Sequence, residues 1–222
     1  MWPNIIEFSK IIIGYCKDTI LKKINAILAR LEKQSILEKS RLVDVSTERR
    51  MLAITPDTAR FYHRLLMDIN AQRILELGTS SGYSTLWFAN AVLQNGNIPK
   101  IITLEGNPVK VQMAKSNFEK AGVSKFIKIM PGQILAVLKS MPKRPIFDFI
   151  LIDADKENVV EYFDLVLPML KIGGVIGTDN VLLPQKYRRF MRKYSAHIRK
   201  NDCVVTGTMP IGYGQEITVK IH

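Results

Sequence analysis

The sequence predicts an α/β domain of the doubly wound kind, a mostly parallel sheet covered on both sides by helices, with a helical cap at its N-terminus. Three observations predict it. Strand-like and helix-like stretches alternate through five successive units from Arg73 onward. The run Phe147 to Ile152 is almost uninterruptedly apolar, the pattern of a strand buried on both faces. The first unit, R-I-L-E-L-G-T-S-S-G-Y-S-T-L-W-F-A from Arg73 to Ala89, sets a short strand, a glycine turn and a helix in the order that makes a binding edge.

Taken in order, residues 1 to about 40 have helical spacing, with Ile13, Ile20, Ile24, Ile27, Leu28 and Leu31 on one stripe and Lys17, Lys22, Lys23, Arg30 and Lys33 mostly elsewhere. Such a basic amphipathic helix packs on its own domain or a partner subunit more often than on a membrane. Residues 41 to 56 carry few signals of either kind. Pro56 and Asp57 start a helix that runs to about Asn70, because proline suits a first helical position. Lys100 to Leu104 reads as the second strand and Pro108 to Ala121 as a helix stopped by Gly122. Lys125 to Ile129 is a strand, Ile134 to Ser140 a short helix, and Phe147 to Ile152 the buried strand. Glu157 to Leu170 reads as a helix ending before Gly173-Gly174, and Val175 to Thr178 as a strand. Pro184 to Lys200 is a helix dense in base. Cys203 to Thr206 and Glu216 to Ile221 are two strands with no helix between them, hence an antiparallel edge. The domain organisation is an N-terminal helical extension over residues 1–45 and one α/β domain over 46–222.

A chain of 222 residues with 47% hydrophobic content can bury a sizeable core. The formal net charge of +12 admits a nucleic-acid partner, an anionic membrane surface or an acidic substrate, and equally a solvated basic surface. The greasy run Ile5 to Cys16 carries Glu7 and Lys10 and is too short to span a bilayer, and no cleavage pattern follows it. Cys16 and Cys203 make no metal-ligand spacing. A reduced, cytoplasmic protein without stable membrane insertion is the simplest reading.

Ligands of open parallel sheets sit beyond the carboxyl ends of the strands. The spacing Gly78-x-x-x-Gly82 differs from the dinucleotide fingerprint, which disfavours a nicotinamide or flavin, and it fits either a ligand loop or a plain structural corner. Glu76 is a carboxylate in a buried strand and needs a partner. Glu105, ending the second strand one unit after the glycine turn, is placed to accept hydrogen bonds from a ribose diol. Gln133, after the third strand, is suited to the edge of a purine or to capping the short helix. Asp153 and Asp155 end the fourth strand and Asp179-Asn180 the fifth, so adjacent parallel strands would bring Asp153, Asp179 and Asn180 to one mouth. Two carboxylates and an amide oxygen suit Mg²⁺, Mn²⁺ or Ca²⁺ and do not suit zinc. The alternative is that the aspartates are helix N-caps. Lys156 is near enough to take a proton from a metal-bound hydroxyl, or else pairs with Asp155 or Glu157.

These stretches, I-L-E-L-G-T-S-S-G-Y-S-T-L, I-T-L-E-G-N-P, F-D-F-I-L-I-D-A-D-K-E-N, L-L-P-M-L-K-I-G-G and D-N-V-L, resemble the cation-dependent O-methyltransferases typified by the caffeoyl-CoA and catechol enzymes and their bacterial and archaeal relatives. The likeness is co-linear from about Met51 to the C-terminus, with P-I-G-Y-G echoing a late family segment. It implies a seven-stranded, Rossmann-like class I methyltransferase fold using S-adenosylmethionine and a divalent cation. Carried over by resemblance, Glu76, Gly78, Ser84 and Glu105 line the cofactor, Gln133 lies near its adenine, and Met51 lies near the methyl group and acceptor. Asp153, Asp179 and Asn180 bind the cation, Asp153 also borders the cofactor, and Lys156 is the base. The acceptor implied is a catechol-like or other hydroxylated aromatic small molecule, and a homodimer is implied too. Three departures stand out. The family usually has tyrosine at Val159, aspartate at Tyr213, and a longer loop where only Val181 to Gln185 precede Lys186.

Two other functions compete. Some bacterial relatives methylate 5-hydroxyuridine in tRNA, and the cluster Lys186, Arg188, Arg189, Arg192, Lys193, Arg199 and Lys200, with Tyr187 and Tyr194 to stack on bases, suits that partner. A non-catalytic cofactor-binding or scaffold protein is the third reading, against which the intact Asp153, Lys156, Asp179 and Asn180 set argues.

Overall fold

The structure is a computed structural model that describes residues 5–222, with side chains from Lys17 onward. Seven strands form one sheet: β1 (Arg73–Leu77), β2 (Lys100–Glu105), β3 (Ile127–Pro131), β4 (Phe147–Ile152), β5 (Leu170–Asp179), β6 (Val204–Met209) and β7 (Gln215–Lys220). Their spatial order is β3-β2-β1-β4-β5-β7-β6. The first five strands are mutually parallel; β7 enters antiparallel between β5 and β6. The expected antiparallel pair therefore exists, with β6 outermost. Helices α1 (Ile5–Lys39), α2 (Pro56–Asp68), α3 (Tyr83–Gln94), α4 (Pro108–Ala121), α5 (Ile134–Ser140), α6 (Val159–Val166) and α7 (Arg188–Ile198) cover the sheet.

Local chemistry accounts for the helix ends. Thr55 caps α2 by accepting from the Thr58 amide, and Asn107 caps α4 by accepting from Val109 and Lys110, each with proline at the first helical position. Gly122 ends α4 in the left-handed conformation. Two apolar clusters form on the two faces of the sheet. One joins Leu66, Phe88, Ala114, Phe118 and Phe149; the other joins Leu75, Leu104, Ile150, Phe163, Ile176 and Tyr194.

Ile24, Leu28 and Leu31 of α1 are buried in the first cluster, with Ile20 and Ile27 packed against it. The helix thus packs on its own domain; the side chain of Ile13 lies outside the described residues. Polar contacts reinforce this docking: Arg30 donates to Asn117 at 2.5 Å, and Tyr83 donates to Glu32 at 2.6 Å. Among the described residues no helix is long and apolar enough to cross a membrane.

One boundary differs materially from the sequence expectation. The helix expected over Glu157 to Leu170 closes at Val166, and β5 begins at Leu170 and runs through Gly173-Gly174 instead of starting after them. The reason is a bulge. Gly173 takes φ +77°, and between the pairs Phe147↔Leu170 and Phe149↔Val175 the strand β5 advances five residues against two on β4. The third strand is shifted too, starting at Ile127 because Ser124–Phe126 form a 3₁₀ turn.

Candidate active site

A cavity of about 1200 Å³ opens at the carboxyl ends of the parallel strands. It is lined by Gly78, Ser80, Glu105 and Gln133 from the β1, β2 and β3 side, and by Asp153, Lys156, Asp179 and Asn180 from the β4 and β5 side. The featureless stretch 41–55 supplies a further wall through Arg41, Val43, Arg50, Met51 and Leu52. This strap is fastened at three points. The Met51 amide donates to Glu38 at 2.7 Å, the Leu52 amide to Ser80 Oγ at 3.2 Å, and Asn107 Nδ2 to the Glu48 carbonyl at 3.1 Å. Met51 reaches the cavity because of that strap.

The glycine turn is shaped by its neighbours. Gly78 takes φ +100°, and a Cβ there would lie 2.2 Å from the Asp153 carbonyl oxygen. Most of the turn's amides are used internally: Gly78 and Thr79 donate to the Leu104 carbonyl, Gly82 to Thr79, and Ser80 to Glu105. Ser80 itself has φ +48°. The first turn of α3 has no side-chain cap, so it is at the helix start that backbone donors remain.

Glu76 and Ser84, implied by resemblance to line the cofactor, are not on the cavity wall. Glu76 is fully buried and accepts from Ser84 Oγ at 2.5 Å, Thr85 Oγ1 at 2.5 Å and Thr103 Oγ1 at 2.6 Å. Burial pushes its carboxyl up to about 7 despite those donors. The partner that the sequence demanded for this carboxylate is therefore a ring of three hydroxyls.

Glu105 does line the cavity. Its Oε2 accepts from the Ser80 amide and its Oε1 from the Asn107 amide, both at 2.8 Å. Each carboxylate oxygen keeps a further lone pair, so the group can still accept from a diol. Gln133 sits at the N-cap position of α5 without a side-chain cap bond, which leaves its amide to the cavity.

Asp153, Asp179 and Asn180 converge as the adjacent strands require, since β4 and β5 pair in parallel up to Ile152↔Thr178. Neither aspartate caps a helix: α6 follows Asn158 and the 3₁₀ turn before α7 follows Pro184. Lys156, 4% exposed, donates to Asp153 Oδ1 at 2.9 Å, and Asp155 is engaged instead by Asn158 and Tyr162. Asp179 is 3% exposed; burial first, and then the charge of Asp153, push it up to about 6. Its Oδ1 accepts from Gln215 Nε2.

The donor chemistry fits a divalent cation. Two carboxylates against one ammonium leave the set negative, and hard oxygens face a common cavity. Among the described residues no group of three or more His, Cys, Asp or Glu side chains gathers as a metal cage. Amide, water and acceptor oxygens would therefore complete the coordination.

The basic segment divides. Lys186 and Tyr187 line the cavity, with the Lys186 ammonium 4.8 Å from the Tyr187 ring centroid. Tyr194, expected as a stacking platform, is fully buried, bonds Thr178 at 2.8 Å and packs on Phe163, so it offers no face to a base. Tyr213 also lines the cavity, and its carbonyl accepts from the Leu182 and Leu183 amides at 3.0 Å, which ties down the short loop after Asn180. Sequence reasoning missed Ser80, Lys110, the strap's arginines and Gln215. Gln215 stands between Gly214 and Glu216 at the edge of the strand-like run, where nothing in the sequence marks it.

A seven-stranded sheet of this order, with a ligand cavity across the carboxyl ends of its central strands, is the class I methyltransferase architecture. The chain belongs to the O-methyltransferase family, whose model matches residues 28–207. It is 36% identical over 133 residues to a catechol O-methyltransferase of Niastella koreensis, covering 59% of this chain and 59% of that protein's length. It is 31% identical over 183 residues to caffeoyl-CoA O-methyltransferase 1 of Zea mays, covering 74% of this chain and 70% of the maize protein. The O-methyltransferase from Bacillus cereus, solved in complex with SAH, superposes with a TM-score of 0.71 at 26% identity over 90% of both chains.

Proposed function

We propose that this chain is an S-adenosylmethionine- and divalent-cation-dependent O-methyltransferase acting on a hydroxyl of a catechol-like or other hydroxylated aromatic small molecule. One observation carries the reading: Glu105, suited to a ribose diol, and the Asp153, Lys156, Asp179, Asn180 set line one cavity. When bound, S-adenosylmethionine supplies an electrophilic methyl group and the cation a Lewis acid that lowers the pKa of a ligated hydroxyl.

The chain's own residues do the rest. Glu105 accepts from the ribose and Gln133 faces the base, while Met51 on the strap excludes water near the reacting atoms. Asp153, Asp179 and Asn180 hold the cation. Glu76, Ser84 and Gly78 set the turn that carries the methionine end. Lys156, which donates to Asp153 as an ammonium, would first pass that proton to solvent and then, as the neutral amine, take the acceptor's proton at Nζ. That leaves the acceptor oxygen to attack the methyl group that S-adenosylmethionine would supply, with sulfur as the leaving atom. Fixing both reactants at near-attack distance supplies much of the acceleration.

The family resemblance implies a homodimer, and the sparse cysteines suit a reduced, cytoplasmic location; light scattering on the purified chain tests the first. The reaction is tested by transfer of labelled methyl from S-adenosylmethionine to a catechol panel, with and without a chelator. Cation-dependent transfer is expected, and transfer indifferent to chelation would overturn the metal-assisted mechanism.

A further inference from the structure

Behind the acidic pair lies a buried polar chain that the reaction above does not use. Asp179 on β5 faces Gln215 on β7 as a register pair. Gln215 is fully buried, and its Nε2 donates to Asp179 Oδ1. Its Oε1 accepts from the Tyr62 hydroxyl at 2.7 Å. Tyr62, also fully buried, reaches this point from α2 by passing over Gly177, where a Cβ would lie 2.5 Å from the phenolic oxygen. Its ring is packed against Phe61, Phe88 and Phe149.

The directions of these bonds matter. A glutamine amide presents a donor and an acceptor that are nearly equal in shape, and here its neighbours decide between them. Turning the amide over would set its oxygen against the Asp179 carboxylate, acceptor facing acceptor, and would leave the Tyr62 hydroxyl proton without Oε1. In a site with no exposure, each such loss has the full cost of an unmade hydrogen bond. The weaker contacts of Nε2, to the Ile211 carbonyl at 3.3 Å and Thr58 Oγ1 at 3.4 Å, favour the same orientation because both are oxygens able to accept.

We propose that Gln215, held in one orientation by Tyr62, is a positioning residue for Asp179: it occupies Oδ1 and fixes the carboxylate so that Oδ2 is the oxygen presented to a divalent cation. The inference rests on the cation-binding reading above. It adds that α2 and β7, neither of which supplies a ligand, set the geometry of the site.

The test is Mn²⁺ binding to the full chain, followed by calorimetry and by the electron paramagnetic resonance of the bound ion. The variants are Gln215→Leu, Tyr62→Phe and Asp179→Ala, each checked by thermal unfolding. Gln215→Leu is expected to weaken Mn²⁺ binding by about 10-fold, the scale typical of residues that orient metal ligands. Tyr62→Phe keeps the ring packing, so it should unfold near the parent temperature while broadening the bound-ion spectrum and weakening binding by a smaller factor. Should Gln215→Leu fail to fold, Tyr62→Phe alone decides through the spectrum. If the parent binds Mn²⁺, loses it with Asp179→Ala, and yet Tyr62→Phe and any folded Gln215→Leu leave affinity and spectrum unchanged, the positioning role is overturned. If the parent binds no Mn²⁺, or Asp179→Ala binds it as well as the parent, the cation reading itself fails.

Discussion

Two buried carboxylates, Glu76 within β1 and Asp179 at the end of β5 on the far side of β4, have opposite situations in the fold. Glu76 and Asp179 are both buried, and burial raises the pKa of both, to about 7 and about 6. Glu76 is closed off: Ser84, Thr85 and Thr103 donate to it, and it is not on the wall of the active-site cavity. Asp179 has one side-chain donor, Gln215, and looks into the cavity beside a second carboxylate, Asp153. The first arrangement is a finished hydrogen-bonded unit that shapes a turn. The second carries charge that protein groups only partly offset, which is what a site for an external cation requires. A buried carboxylate thus has structural or chemical work according to whether its demand for partners is met from within.

The largest effect should come from the unfinished member. Asp179→Ala or Asp153→Ala is expected to reduce methyl transfer by about 100-fold or more, and Asp153→Ala also to lower thermal stability because it leaves the buried Lys156 ammonium unpaired; transfer rates and unfolding curves together check this. Gly78→Ala comes next and breaks the boundary between the two regions, because its Cβ would collide with the Asp153 backbone at a φ of +100°. A loss of about 2–4 kcal/mol in denaturant unfolding is expected, from strain at that backbone angle together with overpacking.

The closed member should report through pH. Glu76 ordinarily ionises near 4.5 and here near 7, so the folded state holds its proton more tightly than the unfolded state does. Its contribution is complete below about 4.5 and is lost as pH rises through about 7, a decline of about 3 kcal/mol across that window. Glu76→Gln should flatten this part of the stability–pH curve while leaving Mn²⁺ affinity nearly unchanged; an unaltered slope would remove Glu76 as its source. The smallest effect is expected at Tyr194→Phe, which gives up one buried hydrogen bond to Thr178, a loss of about 1 kcal/mol in denaturant unfolding.

Much of this division was legible in the chain. The alternation of elements, the glycine turn after β1 and the position of acidic residues just beyond strands follow from local pattern; the helix Pro108–Ala121 falls where spacing and its Asn107 cap put it, and Ile134–Ser140 where spacing alone does. The convergence of Asp153, Asp179 and Asn180 followed from the rule that adjacent parallel strands share one mouth. What local pattern could not show was partnership at a distance. Tyr62 and Gln215 are 153 residues apart, and nothing near either one announces the other. The strap over the cavity has no period of its own, because long-range bonds to Glu38, Ser80 and Asn107 hold it. The extension of β5 through two glycines was hidden because a bulge and a strand end look alike in sequence. Glu76 was recognised as needing a partner, yet whether hydroxyls or a ligand would meet that need depended on Thr103 from the next strand.

The contrast between the two carboxylates is tested most directly by measuring Mn²⁺ affinity of the parent chain, Asp179→Ala and Glu76→Gln side by side at constant pH. The account predicts binding in the parent, loss in Asp179→Ala and near-parent binding in Glu76→Gln. Equal binding by Asp179→Ala and the parent would contradict it.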